Sequence, residues 1–467
     1  MSRRCVTRAF GVLLLLAVFV HAAVCVAAES EPALTRLAQT LLADSTDAAG
    51  PGTVILVARG DDVLFRGARG NAEIELGVPL SPDDVFRIGS NTKQFTAAAI
   101  LKLVGQRRIA IGDPLSRFLP DYPNGAHITV EELLRHTSGI RDYTEIDGYF
   151  DAAIRQDLVT QKLIDVFKDL PVDFPPGADW KYSSSGYVLL GAILERVTGK
   201  PWHVAMHELL LAPLALGHTG YDDGTTLIAR RALGYSVDAA GGTINAPYIS
   251  MTQAAAAGGL VSSADDLLRW MRALHAGKVL QPDTYRLMTT VVPTRSGRPT
   301  DYACGLATLR IRGEPAFEHV GRDPGYMSET LYVAKPAISV VVLMNTDRPR
   351  ADVTVMAARL AAVAMGRPYP ERHATALTRS EMQALAGLYQ RGAGQRTIVA
   401  RDGRLYTKRD GGSEHVLNAA SANELYFDEV LDYFTVTRDA SGKVVALEEF
   451  SNGETPPLHL PKRSNGP

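Results

Sequence analysis

The chain has 467 residues, of which 46% are hydrophobic, and this composition excludes a disordered or low-complexity protein. Its 49 Lys and Arg residues against 51 Asp and Glu residues give a net charge of −2, without the basic excess expected of a nucleic-acid-binding protein. Three cysteines are too few for a disulfide framework, and the length predicts two or three domains.

The first 28 residues have the features of a secretory signal peptide. Three arginines precede an apolar run at 9–20, and small residues at 26–28 form a cleavage site. The alternative, a membrane anchor, is disfavoured because this run is too short to span ~30 Å of hydrocarbon. We therefore predict a periplasmic or secreted protein whose mature chain carries 46 Lys and Arg against 51 Asp and Glu. Its single cysteine, Cys304, is interpreted as a buried small hydrophobic residue.

The pattern that follows predicts a mixed α/β domain over 29–370. A helical segment at 33–43 precedes two strands that form a hairpin at 52–60 and 62–70. Further helices and a second group of strands follow: helices 91–108, 130–136, 186–198 and 264–275, strands 316–321, 329–334 and 338–345, and helix 352–365. Because strands lie at both ends with helices between them, we expect chain-distant strands to complete one sheet.

A domain boundary is predicted near residue 370, where two prolines interrupt the helical pattern. After it, Ser380 and Gln383 form the pattern of a capping box for one short helix. Strands at short spacing then alternate with Asp-Gly and Ser-Gly turns. Residues 371–467 are therefore predicted to form a small antiparallel β-sheet or β-barrel.

A serine and a lysine one helical turn apart are the first candidates for chemistry. Ser90 stands at the start of the predicted buried helix, and Lys93 shares its face. Backbone N–H groups at a helix N-terminus favour the anion that develops when a carbonyl is attacked. Burial would lower the pKa of the lysine and let it accept the serine proton. The alternative interpretation is a solvated lysine beside an N-cap serine, which a long chain contains by chance.

Two further side chains extend this set. Tyr182 lies on a loop directly before a buried helix, where it could exchange protons with a buried lysine. His319 lies in a predicted strand, where it could donate a hydrogen bond to the tyrosine and hold positive potential over the site. Taken alone, each also fits a structural role, as an aromatic cap on the core and as a strand histidine with satisfied hydrogen bonds.

Taken in chain order, Ser90-x-x-Lys93, Tyr182-Ser183-Ser184 and His319-x-Gly321 resemble the three motifs of the serine β-lactamase-related hydrolases. This group includes class C β-lactamases, D,D-carboxypeptidases, D-aminopeptidases and secreted esterases. The connecting segments at 133–140, 175–200, 256–270 and 319–328 are also similar, so the resemblance covers about 35–365. It implies a β-lactamase/transpeptidase-like fold, an antiparallel sheet flanked by helices plus an all-helical region. The tail resembles the lipocalin-like barrel of some members.

The resemblance also assigns roles to residues. It implies that Ser90 is the acylated nucleophile, Lys93 its proton partner and Tyr182 the general acid and base. His319 stands where many relatives have the lysine of a Lys-Thr-Gly strand. The implied oxyanion hole consists of the backbone N–H groups of Ser90 and of Arg322, which follows Gly321.

Two positions depart from the family pattern. Ser184 replaces the usual asparagine that bonds the acylamide of a β-lactam or peptide, and Val320 replaces a hydroxyl residue that helps to bind a substrate carboxylate. Both changes remove donors for a peptide-like ligand, although Arg322 could restore a carboxylate contact. They favour an esterase or a D-amino-acid amide hydrolase over a strong penicillinase.

We therefore expect a secreted serine hydrolase that acts on a small ester, peptide or cell-wall-derived substrate, without a metal or organic cofactor. Nucleic acid is not an expected partner, and no stable membrane span is expected once the signal is removed.

The pair His203 and His207 with Glu208 has a spacing that can bind zinc, but no third ligand is in reach in the sequence. Two alternatives stay open: a D,D-carboxypeptidase or weak β-lactamase, and a catalytically silent binding or regulatory homologue.

Overall fold

The computed structural model describes residues 31–454 and 456–463. The predicted signal peptide lies outside these residues. The described chain forms two compact units that divide between Gly366 and Arg367, with Arg310–Gly313 grouped with the second unit. Among the described residues, no helix combines the length and the hydropathy needed to cross a bilayer.

The first unit contains ten α-helices and thirteen strands among the described residues. The helices are α1 (31–45), α2 (Thr92–Gly105), α3 (Val130–Leu134), α4 (Thr160–Phe167), α5 (Ser184–Thr198), α6 (Trp202–Met206), α7 (Met251–Gly258), α8 (Ala264–His275), α9 (Pro282–Thr289) and α10 (Val353–Ala364). The strands are β1 (Thr53–Arg59), β2 (Asp62–Arg69), β3 (Asn71–Glu73), β4 (Val78–Pro79), β5 (Val85–Arg87), β6 (Gly220–Tyr221), β7 (Tyr235–Val237), β8 (Thr243–Asn245), β9 (Leu260–Ser263), β10 (Ala307–Ile311), β11 (Glu314–Asp323), β12 (Tyr326–Val333) and β13 (Ile338–Met344).

One six-stranded sheet dominates this unit, in the order β10-β11-β12-β13-β1-β2. The early hairpin pairs with the late strands because β1 lies antiparallel to β13, with Thr53 opposite Met344. Both strands are apolar and buried along almost their whole length, as expected for strands covered on both faces. Helices α8 and α10 pack on β13, whereas α2, α5 and α7 pack together as a separate helical region. The predicted mixed α/β class and the chain-distant pairing are confirmed.

Local sequence signals account for the helix ends. The Ser263 hydroxyl accepts from the backbone N–H of Asp266 and caps α8, which covers the predicted 264–275. The Asp352 carboxylate caps α10 in the same way. Helix α5 ends at Gly199, whose left-handed conformation is the common helix terminator.

After Arg367, the described residues of the second unit form one α-helix and an eight-stranded sheet whose strands pair in sequence order. The bounds are α11 (Arg379–Leu385), β14 (Gly387–Arg391), β15 (Gly394–Arg401), β16 (Arg404–Arg409), β17 (His415–Ser421), β18 (Glu424–Tyr426), β19 (Tyr433–Arg438), β20 (Val444–Phe450) and β21 (Leu458–Pro461). A bridge between Tyr389 and Lys462 joins the first strand to the segment after the last, so the barrel is nearly closed. The predicted antiparallel barrel is confirmed.

The helix cap predicted for this unit is wrong. Thr378 and Glu381 form the capping box of α11 instead of Ser380 and Gln383. The two patterns overlap by two residues, and the observed one places a charged carboxylate at the positive end of the helix, which an amide cannot match.

The fully buried Glu329 and the half-buried Glu318 lie on one face of the main sheet. Glu329 is opposite Val320 in the pairing of β11 with β12, so its side chain shares a face with that of Glu318. Both carboxylate oxygens of Glu329 are buried without a hydrogen-bond partner among the described residues. Burial, followed by the negative charges of Glu318 and Asp352, raises the pKa of Glu329 well above its ordinary value. Burial also raises the pKa of Glu318 to about 7.

The substitution Glu329→Gln is expected to stabilise the protein at pH 8, because the neutral amide removes the free-energy cost of burying an acid that is ionised in the unfolded state. When folding raises the pKa of an acid, the folded protein loses stability as the pH rises above the pKa that the acid has in the unfolded state. The gain should therefore shrink towards pH 4, where the glutamate is protonated in both states. Thermal unfolding midpoints across this pH range measure the effect.

The exposed Glu31 provides the control, because Glu31→Gln removes the same charge without touching Glu329 or Glu318. An equal stabilisation in both variants, or one that does not vary with pH, would contradict the assignment.

Candidate active site

Ser90 lies in a tight turn, Gly89–Asn91, that leads directly into α2. Gly89 has a positive φ of 50°, and a Cβ there would stand 2.7 Å from the backbone nitrogen of Arg322. A Cβ on Gly321 would lie 1.8 Å from the Ile88 carbonyl oxygen. The turn and strand β11 therefore approach backbone to backbone, and only glycine fits at these positions.

Helix α2 is fixed by buried polar side chains as well as by packing. The Asn91 amide donates to the Ser328 hydroxyl at 2.7 Å, and that hydroxyl donates to the Ile88 carbonyl at 2.8 Å. The Gln94 amide donates to Asn91 at 2.7 Å, and the Thr330 hydroxyl donates to the same Asn91 oxygen at 2.7 Å. This network connects the first turn of α2 to β12 and holds the backbone around Ser90 in one position.

Lys93 is fully buried one helical turn after Ser90. Its Nζ donates to Ser90 Oγ at 3.0 Å and to the Ala257 carbonyl at 2.9 Å. Burial lowers the pKa of Lys93 to about 7, although the charges of Asp142 and Asp323 oppose this shift. Near neutral pH a large fraction of the lysine is therefore an uncharged amine in contact with the serine oxygen.

Tyr182 lies on the other side of Ser90, two residues before α5. Its phenol is hydrogen-bonded to Ser90, and its ring centroid is 4.7 Å from Lys93 Nζ. Burial raises the pKa of Tyr182 above its ordinary value, so the phenol is protonated at neutral pH. The sequence-predicted Ser90, Lys93 and Tyr182 are thus in mutual contact.

His136 supports the tyrosine loop and was missed by the sequence analysis. Its ring packs 4.3 Å from that of Tyr182, and its Nδ1 accepts from the backbone N–H of Ser183 at 3.1 Å. Its carbonyl accepts from the backbone N–H of Lys181. Burial and then the charge of Lys93 lower its pKa well below the ordinary value, so this histidine is neutral.

His319 is buried at the centre of β11, but its partner is not the one predicted. Its Nδ1 lies 2.8 Å from the Val320 carbonyl, which can only accept, so Nδ1 carries the proton. Nε2 then accepts from the Tyr302 hydroxyl at 2.9 Å. Both ring nitrogens are engaged, so His319 cannot donate to Tyr182, whose ring centroid is 6.4 Å away.

The expected positive potential at His319 is also wrong. Burial, followed by the charge of Lys93, lowers its pKa to about 3, and the ring is neutral at physiological pH. His319 therefore belongs to a neutral aromatic cluster with Tyr302, His136 and Tyr182. The loop that contributes Tyr302 carries no sequence signal that distinguishes this tyrosine from others.

The three side chains open into a cleft of about 360 Å³. Ser184 and Arg322 also line it, as the sequence predicted. Ser184 is the first residue of α5, and Arg322 is exposed at the end of β11. One wall is apolar and consists of Phe150, Ile154, Ile249, Ala254 and Ala257. The cleft therefore offers a hydrophobic surface next to the serine oxygen.

Two aspartates in the cleft were not predicted. Asp142 accepts from the backbone N–H groups of Ser184 at 2.8 Å and Thr144 at 2.9 Å, and its charge favours the ammonium form of Lys93. Burial raises the pKa of Asp323 to about 7, although Arg87 and Lys93 lower it. Negative charge on either aspartate therefore raises the pKa of Lys93 against the effect of burial.

The positions proposed for the oxyanion hole are adjacent in space. The contact between Gly89 and the Arg322 backbone places the N–H groups of Ser90 and Arg322 on neighbouring segments that both line the cleft. The tight packing of Gly321 against Ile88 fixes their separation. Such preorganised backbone donors can stabilise a developing oxyanion.

The predicted histidine pair lies apart from this cleft. The His203 ring stacks on Tyr221 at 4.8 Å, and Glu208 pairs with Lys200 at 2.6 Å. Across residues 31–454 and 456–463, no group of three or more His, Cys, Asp or Glu side chains is arranged to hold a metal ion. Cys304 is buried, and burial raises its pKa to about 12, so it is unreactive as a thiolate.

Comparison with known proteins places this geometry in context. Residues 34–365 match the family described as Beta-lactamase. The chain is 27% identical to a D-aminopeptidase from Gluconobacter oxydans, over 88% of this chain and 74% of the relative. It is 32% identical to esterase EstB from Burkholderia gladioli, over 50% of this chain and 68% of the relative. A solved D-stereospecific amidohydrolase from Streptomyces sp. has a TM-score of 0.61 and 28% identity, over 67% of this chain and 95% of that structure.

The lowered pKa of Lys93 predicts how activity depends on pH. If the neutral amine is the reactive form, kcat/KM for a neutral substrate should rise with pH through an apparent pKa of about 7. Replacing Asp142 by Asn removes a charge that favours the ammonium, so the acidic limb should move to lower pH. Initial rates measured from pH 5 to 9 on both proteins test this.

Asp323 is the second group in the cleft with a pKa of about 7, so its contribution must be separated. In Asp323→Asn the limb should persist and move to lower pH, because Lys93 loses a neighbouring anion. Disappearance of the limb would assign it to Asp323 instead. Asp165 is half-buried and does not line the cleft, so Asp165→Asn is the matched control and should leave the profile unchanged.

Proposed function

Because the chain belongs to the β-lactamase family, we propose that it is a secreted serine hydrolase that forms an acyl-enzyme at Ser90 and cleaves an ester or amide bond. The observation that carries this proposal is the buried Lys93 amine, 3.0 Å from Ser90 Oγ and with its pKa lowered to about 7. A lysine in this state can accept the serine proton at neutral pH. We assign the resting base to Lys93, since burial keeps the Tyr182 phenol protonated.

In the acylation step, the Ser90 proton moves to Lys93 as Oγ attacks the substrate carbonyl carbon. The carbonyl electron pair moves to its oxygen, which the backbone N–H groups of Ser90 and Arg322 receive. When the intermediate collapses, the bond to the leaving group breaks and Tyr182 donates a proton to the departing oxygen or nitrogen. Lys93 then returns its proton to Tyr182, which lies beside it.

Deacylation repeats these transfers with water as the nucleophile. A water molecule on the open side of the cleft loses a proton to the neutral amine of Lys93 while it attacks the ester carbonyl of acylated Ser90. The bond to Ser90 Oγ breaks, and the proton returns to this oxygen. The product is a carboxylic acid, and all three side chains regain their starting states.

The walls of the cleft favour substrates with an apolar acyl group. Phe150, Ile154 and Ile249 form a hydrophobic surface, whereas Ser184 and Val320 lack the amide and hydroxyl donors suited to a β-lactam. We therefore propose an esterase or a D-amino-acid amide hydrolase. The similarity to an esterase and to a D-aminopeptidase supports both.

A second candidate function is a D,D-carboxypeptidase or weak β-lactamase, which the position of Arg322 favours. Its exposed guanidinium lies at the cleft, where it could pair with the carboxylate that such substrates carry. Substrate tests must therefore include carboxylate-bearing compounds.

The substitution Ser90→Ala is expected to abolish ester hydrolysis, with a loss of about 10⁴-fold or more in kcat, and to prevent labelling by a fluorophosphonate probe. Both effects follow because the residue that forms the covalent bond is removed. Mass spectrometry of the intact protein measures the adduct. The exposed Ser441 lies in the barrel, and Ser441→Ala should label as fully as the wild type.

Labelling of Ser90→Ala at the wild-type rate would contradict the assignment. If the folded wild-type protein gives neither an adduct nor a burst of product, the silent binding or regulatory homologue is the better description.

The substrate class is tested by comparing short-chain nitrophenyl esters, D-alanyl amides and nitrocefin on the same preparation. We expect kcat/KM for the ester or the D-amino-acid amide to exceed that for nitrocefin by at least about 10²-fold, since donors suited to the latter are absent. Arg322→Gln should affect only carboxylate-bearing substrates. Preferred turnover of nitrocefin would favour the second candidate function.

A further inference from the structure

The barrel of the second unit has a group of charged residues on its inner face. Glu449 is fully buried and accepts hydrogen bonds from three arginines. The distances are 2.7 Å from Arg391, 2.9 Å from Arg396 and 2.8 Å from Arg409. We call these four residues the arginine cluster.

The positive charges of the arginine cluster outnumber the carboxylates that face them. Arg396 and Arg409 are directly opposite in the pairing of β15 with β16, a placement that is unfavourable for like charges. Asp432 supplies a second carboxylate, 3.5 Å from Arg409. Three guanidinium groups therefore face two carboxylates, and one positive charge is left over. Arginine cannot lose its proton in a protein, so deprotonation cannot remove this charge. An anion from outside the arginine cluster would balance it.

Arg396 is the least satisfied member. Its side chain is 3% exposed, and its Nε is buried without a hydrogen-bond partner among the described residues. Its Nη atoms bond Thr407 and Glu449, and its guanidinium lies over the Phe434 ring at 4.9 Å. Burial, followed by the neighbouring arginines, lowers its pKa despite Glu449. A buried donor without a partner is costly, which suggests that a partner is supplied from outside.

A cavity of about 220 Å³ lies against Arg396 and Arg409. Phe427 and Val430 give it an apolar wall, and Lys408 and Glu429 also line it with opposite charges that offset each other. The volume is smaller than the ~300–1,000 Å³ of sites for drug-sized ligands, so the occupant is small. The leftover single charge fits a monoanion better than a dianion.

We propose that this cavity binds a small organic monocarboxylate, whose anionic group pairs with Arg396 and Arg409 and whose short hydrocarbon chain packs against Phe427. A carboxylate matches the planar geometry of a guanidinium and can accept two parallel hydrogen bonds. The apolar wall distinguishes such a ligand from an inorganic anion. The site lies entirely within the second unit and uses none of the residues of the serine cleft.

Calorimetric titration of the full chain with butanoate, butanamide and phosphate tests the proposal. We expect butanoate to bind with a Kd of about 1 mM or lower, and both butanamide and phosphate to bind at least about tenfold more weakly. Arg409→Gln should weaken butanoate binding at least about tenfold. This arginine is half-exposed, so its replacement is less disruptive than that of the buried Arg396.

Arg401, at the end of β15, is the matched control, because it is exposed and pairs with Glu414 outside the cavity. Arg401→Gln should bind butanoate as the wild type does. Phe427→Ala should weaken the binding of butanoate more than the binding of acetate. This comparison tests the apolar wall of the cavity without removing a charge.

Butanoate could also enter the serine cleft at Arg322, and Arg322→Gln separates the two sites whether or not the proposed hydrolase activity is correct. The proposal is overturned if butanoate binding is lost in Arg322→Gln and retained in Arg409→Gln. Equal binding of butanoate and butanamide, or of butanoate and phosphate, overturns it as well.

Discussion

The burial of one amine is the constraint on which the serine cleft depends. Lys93 has no exposed surface, and its Nζ donates hydrogen bonds to Ser90 Oγ and the Ala257 carbonyl. A permanent ammonium in this place would be costly, and the pKa falls to about 7 in response. Asp142 and Asp323 limit that fall in pKa, so near neutral pH the lysine is present both as the ammonium and as the neutral amine. The surrounding histidines and tyrosines are neutral, which leaves the lysine and Asp323 as the groups that titrate near pH 7 within the described cleft.

The position of the serine depends on a second constraint, the close approach of two backbone segments. The Ile88–Ser90 segment touches β11 at Gly321 and the Arg322 backbone, and this contact leaves no room for a Cβ on Gly89 or Gly321. Strand β11 is in turn held in a sheet that is completed by the pairing of β1 with β13, elements about 285 residues apart in sequence. The hydroxyl of Ser328 on β12 completes the connection by its bond to Ile88. The sheet therefore fixes the site as well as the core.

Sequence reasoning predicted the parts of this arrangement that local pattern determines. The spacing of Ser90 and Lys93 on one helix face, the helix at 264–275 and the strand periodicity all follow from residues within a few positions of each other. It missed Asp142, His136 and Tyr302 because their roles arise from contacts across loops, where no periodicity applies. The wrong partner of His319 has the same origin: the Val320 carbonyl on its own strand holds the proton on Nδ1, but the partner of Nε2 is Tyr302, a loop residue 17 positions earlier.

The two units show the same physical problem with two different consequences. Each buries a cation among groups that only partly neutralise it: Lys93 beside Ser90, and Arg396 beside Glu449. A lysine can shed its proton, so its burial produces a base, and the lost charge needs no partner. An arginine keeps its charge, so its burial produces a demand for an anion instead. The choice of cation therefore decides whether a buried positive site becomes a proton acceptor or a ligand site, and this chain places one of each in its two units.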